Sequence, residues 1–129
     1  MKKIMIIAAL GMLFAGCSMS GGPGSGQIKD ALLKDYRDGL QDRVDSMASL
    51  LGEKRAKEGI ASAEGTADPE QMTISDFDAE DIRELENGDY TAKVIYVLHS
   101  GDRVKQDMTQ RVTLTKLQDE WKVIAKEAL

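Results

Sequence analysis

Asn87-Gly88-Asp89-Tyr90-Thr91-Ala92-Lys93-Val94-Ile95-Tyr96-Val97-Leu98 decides the fold class. From Tyr90 the pattern has period two, with Ala92, Val94, Tyr96 and Leu98 on one face, as in a half-buried strand. Asn87-Gly88 before it is a hairpin signal, because both residue types tolerate positive φ. A partner strand is therefore expected over roughly residues 79–86, although Ser75 and the acidic residues after it could instead cap a short helix. Ser100-Gly101-Asp102 turns the chain again into a long strand over about 103–117, in which Met108, Val112 and Leu114 alternate with threonines and Arg111. Gln118-Asp119-Glu120 turns into a last strand over 121–125, placing Trp121, Val123 and Ala125 on one side.

Upstream the period changes. Over residues 27–58, Ile28, Leu32, Leu33, Tyr36, Leu40, Val44, Met47, Leu50 and Leu51 fall within an arc of about 160° at helical spacing. That width suits one long helix lying on a sheet, with a bend possible at Gly39 or Gly52, Gly59 as its stop and residues 59–71 as a loop. The order predicts an α+β fold, one long N-terminal helix packed on a curved antiparallel sheet of about four strands.

The N-terminal stretch reads differently. Met1-Lys2-Lys3 is basic, and residues 4–16 form an apolar run of 13 residues that ends in Ala15-Gly16-Cys17. As a helix this run spans about 20 Å, too short for a hydrocarbon core of about 30 Å, so the reading is a secretory signal over residues 1–16. The competing reading is an ordinary signal or anchor carrying a chance cysteine. Residues 17–26, rich in glycine and serine, are expected to form a flexible tether, and 27–129 one domain. Loss of Lys2 and Lys3 with the signal leaves 15 basic against 22 acidic residues, a net charge of −7. Such an acidic chain lacks the basic patch that nucleic acid requires. Cys17 is the only cysteine, so no disulfide can form within the chain, and no cofactor is expected.

Leu13-Phe14-Ala15-Gly16-Cys17 resembles the lipobox of bacterial lipoproteins. The resemblance implies cleavage before Cys17, diacylation of its thiol and usually a third acyl chain, which together anchor a protein durably in a membrane. Ser18 after the cysteine implies the outer membrane, periplasmic side, by the Gram-negative sorting pattern. The stretches 85–102 and 112–124 look like the cystatin-like cone, and are similar to small periplasmic lipoproteins related to the nuclear transport factor two-like superfamily. The resemblance implies a helix across a cone of strands; enzymes of that superfamily use Asp, Tyr and His in a pocket.

Candidate chemistry is sparse. His99, the only histidine, lies at a strand end with no serine, cysteine or second histidine at a meaningful spacing. The carboxylates at 76, 78, 80, 81, 84, 86 and 89 lack the glycine and the twelfth-position glutamate of an EF-hand, and read as a solvated edge. Arg43 falls inside the apolar arc and must reach the edge of the core, a carboxylate or a ligand. Arg43, Tyr96 and Trp121 are the candidate ligand-binding residues, with Trp121 also suited to plug the core. The preferred reading is a lipid-anchored, non-catalytic accessory or interaction module with a protein partner in the envelope. The alternatives are a carrier of a small apolar or lipidic ligand between helix and sheet, and an isomerase- or dehydratase-like enzyme.

Overall fold

The computed structural model describes residues 22–129; the expected signal segment and Cys17 lie outside them. Helix α1 spans Ser25–Leu51 and helix α2 Glu53–Glu64, followed by a single 3₁₀ turn at Pro69–Gln71. Four strands follow: β1 (Met72–Glu84), β2 (Tyr90–Ser100), β3 (Val104–Leu117) and β4 (Glu120–Ala128). They form one antiparallel sheet in chain order, β1-β2-β3-β4, leaving β1 and β4 as edges. The molecule is thus α+β, with α1 crossing one face of an open sheet.

The alternation in β2 survives in three dimensions. Ala92, Val94, Tyr96 and Leu98 are buried against Ile28, Leu32, Leu40 and Val44 of α1. Val112 and Leu114 of β3 and Val123 of β4 extend that core. Polar ties fix the helix at both edges. Arg37 donates from Nε and Nη2 to the Met72 carbonyl at 3.1 and 2.9 Å, and Lys126 Nζ reaches Asp35 at 2.7 Å while lying 4.1 Å from the Tyr36 ring centre.

Several expectations are corrected. The helical segment is two helices divided at Gly52, one of the two glycines at which the sequence allows a bend, and it does not stop at Gly59. Gly52 takes φ 88° and ψ 157°, which ends α1, and Glu53 places a carboxylate at the positive N-terminus of α2. Ala56 and Ile60 then give α2 its own buried stripe, so helix occupies residues 59–64 of the expected loop. Leu50 and Leu51, counted in the apolar arc, are 80% and 47% exposed in the last turn of α1.

The real stop is Gly65, at φ 98°, where a Cβ would overlap the Ser100 carbonyl oxygen. Residues 75–78 are strand rather than a capped helix, and β1 starts seven positions earlier than expected, at Met72. The first hairpin turn uses positive φ only at Gly88, with Gly88 N–H donating to the Leu85 carbonyl at 3.0 Å. A bulge at Ile124 flips the end of β4, so Val123 is buried while Ala125 is exposed opposite Thr113.

The domain also begins earlier than residue 27. α1 begins at Ser25, where the Gly24 N–H donates to Gln27 Oε1 at 2.9 Å. Pro23 is buried, and Gly22 packs so closely on Tyr90 that a Cβ there would lie 2.8 Å from the ring. Residues 22–26 therefore belong to the domain.

Candidate functional site

The three candidate residues are not brought together. Tyr96 is in the core, 1% exposed, as the hub of a polar chain. Its hydroxyl donates to Gln110 Oε1 at 2.7 Å and lies 2.6 Å from the Tyr36 hydroxyl, which must therefore supply its own proton to Tyr96. Burial first, then the bond to Tyr36, pushes the Tyr96 phenol far above its ordinary range. With Phe77 and Tyr36 at ring distances of 6.2 and 6.3 Å, the side chain is fully enclosed. It is a structural hub.

Arg43 reaches neither sheet nor cavity. Its guanidinium forks onto Glu64, with Nε–Oε2 at 2.8 Å and Nη2–Oε1 at 2.6 Å. Of the three options left open by its place in the arc, the carboxylate is the one taken. A straight helix would separate residues 43 and 64 by about 32 Å. The contact thus means that α2 doubles back along α1.

Trp121 alone lines an opening. An open cleft of about 800 Å³ lies between α1 and the β3–β4 hairpin, walled by Lys34, Asp38 and Asp42 on one side and Leu117, Glu120 and Trp121 on the other. Trp121 is half-buried, packed on the core, edge-on to Tyr90 at 5.4 Å and 5.8 Å from Lys116 Nζ. It is both the expected plug and one wall of the cleft. Lys34 donates to Asp38 at 2.8 Å, and that bond, then the charge of Asp38, raises its pKa. The turn below is tight: Gln118 and Asp119 both take left-handed φ, 50° and 69°.

His99 has a partner that its neighbours in sequence do not disclose. The β1–β2 register sets Thr73 opposite His99 and brings Ser75 diagonally across, with Oγ 2.8 Å from Nε2. The pair lines a shallow pocket of about 360 Å³ with Thr73, Gln71 and Asp102. A nucleophilic serine also requires a group that orients the other imidazole nitrogen. Among the described residues no hydrogen bond reaches Nδ1.

On the acidic edge, β1 is broken by register shifts at 75/78 and 80/83, with Asp76 and Asp81 at φ 52° and 53°. Arg83 bonds Asp81 at 2.7 Å and holds its carboxyl below the usual range. These bulges and charges blunt the edge against pairing with another strand. Among the described residues no group of three His, Cys, Asp or Glu could hold a metal ion.

The second large opening lies in the helical hairpin. A trough of about 870 Å³ runs between α1, α2 and the 65–71 segment. Val44, Ala48 and Ala61 form its floor, and Asp45, Glu53, Glu58 and Asp68 stand at its rim. The sequence does not disclose it, because it depends on the reversal at Gly52, and the spacing of Ala56 and Ile60 gains meaning only once the chain has folded back.

No family model matches the chain, and no curated protein matches it. Among solved structures, the intermembrane space region of the chloroplast protein ARC6 is similar over 84% of this chain and 98% of that one, at 9% identity and a TM-score of 0.37. A likeness of that size carries no argument about this chain.

Proposed function

We propose that this chain is a lipid-anchored protein of the bacterial envelope, held through Cys17 at the periplasmic side of the outer membrane, whose domain is a non-catalytic interaction module. The observation that carries the module reading is the filled space between α1 and the sheet. Ile28, Leu32, Leu40, Tyr96 and Leu114 are each no more than 1% exposed there, so a small apolar ligand has no chamber to enter. The large openings lie outside that core, lined by charge and open to solvent, as suits a polypeptide partner better than an enclosed molecule.

The anchor reading rests on the N-terminal sequence and gains a geometric consequence from the fold. Cys17 precedes the docked Gly22 by five residues, a reach of at most about 18 Å. The lipid would therefore hold the Tyr90–Trp121 end of the domain close to the membrane. No helix among the described residues is long and apolar enough to cross a membrane, so on this reading the lipid supplies the attachment.

The test is membrane fractionation with acyl labelling, combined with complementation of a deletion strain. Cys17→Ala should lose label and function together, whereas His99→Ala should keep both. A folded His99→Ala protein that alone is inactive would replace the module reading with an enzymatic one.

A further inference from the structure

We propose that the trough between α1 and α2 receives a cationic amphipathic helix from a partner protein; this deepens the interaction-module reading and rests on it. The floor supplies the first argument. Ala48 and Ala61 are half-buried beside buried Val44, and side chains this small let another helix backbone approach closely. α2 has 12 residues, about 18 Å, enough to accompany three turns of a third helix.

Charge supplies the second argument. The rim carries Asp45, Glu53, Glu58 and Asp68 against a single lysine, Lys57, which Glu53 already holds at 3.0 Å. A helix with lysine or arginine flanking an apolar stripe would meet carboxylates on both walls. A second copy of this chain fits poorly, because the full sequence carries a net charge of −5 and its own α2 mixes both signs.

Position supplies the third. Leu50 and Leu51 stand exposed at the hairpin tip beside the trough, and α1 holds that tip about 40 Å from the N-terminal end of the domain. The apolar surface is thus offered where a membrane-tethered domain meets soluble or neighbouring proteins.

The experiment uses the full chain in detergent, titrated with a fluorescent leucine–lysine amphipathic helix of about 14 residues. Saturable binding is expected, weakened at least about tenfold by the paired change Asp45→Lys and Glu58→Lys, and little changed by Asp76→Lys with Asp78→Lys, which alters net charge equally on β1. Equal losses from both pairs, or no saturable binding, would overturn the proposal. In cells, a photo-crosslinking residue at Ala61 should capture a basic amphipathic segment. Capture only from Thr109, on the open sheet face, would overturn the trough while sparing the module reading. Capture of a second copy at Ala61 would overturn the stated partner, and no protein captured from either position would overturn both readings.

Discussion

Arg43 and Glu64, 21 positions apart in the chain, share three nitrogen–oxygen contacts of 2.6 to 3.1 Å. The fork closes the helical hairpin at the end opposite its tip. Both side chains keep access to water, at 49% and 33%, so screening limits the pair to about 1 kcal/mol or less. Arg43→Met should therefore leave the overall melting temperature nearly unchanged while α2 opens more often. Hydrogen exchange should quicken over residues 53–64 and stay constant in β2 and β3. Uniform acceleration throughout the domain would show that the fork does more than hold α2.

Tyr96→Phe removes the donor to Gln110 Oε1 inside the core and should cost about 1–3 kcal/mol at neutral pH. The same residue predicts alkaline sensitivity. An unfolded tyrosine ionises near pH 10.0, whereas the folded phenol is held neutral to higher pH by burial and Tyr36. Above pH 10 the folded state keeps a proton that the unfolded chain releases, so stability is full below that pH and falls as pH rises beyond it. Urea denaturation from pH 8 to about pH 11 should show this slope in the parent and a shallower one in Tyr96→Phe.

Gly65→Ala should destabilise by at least about 2 kcal/mol, because it combines a left-handed backbone with overlap of the Ser100 carbonyl. Gly59→Ala has open space around its Cβ within a helix and should stabilise by up to about 1 kcal/mol. Thermal melts of the two variants should move in opposite directions. A shift of the same sign would contradict the assignment of the helix stop to Gly65.

The β3–β4 turn offers a gain. Gln118 and Asp119 occupy the two left-handed positions that asparagine and glycine fill with least strain. Gln118→Asn with Asp119→Gly should raise stability by about 0.5–1 kcal/mol, read from the urea midpoint at unchanged slope.

The sheet was legible because one face is buried and the other wet, which writes period two directly into residues 92–98 and 108–114. Gln110 lay within that register between Met108 and Val112, and its burial could have been read from parity alone. A bend at Gly52 was legible as a possibility, but the full helical reversal was not. A glycine inside an amphipathic stretch is tolerated or broken according to what the following turn can pack on, and Ala56 and Ile60 find α1 only once the chain has folded back. The same holds for Glu64 beside Arg43 and Ser75 beside His99, partners set by a corner and by a strand register. Arg43 and Tyr96 satisfy the polar demands of the fold, and only Trp121 faces an opening.

The central claim, that this domain works from a lipid on Cys17, is tested most directly by mass spectrometry of the protein purified from its own membranes. The account predicts a chain beginning at Cys17, with residues 1–16 gone and at least two acyl chains on that residue. A chain that retains residues 1–16, or that carries a free thiol at Cys17, would contradict it.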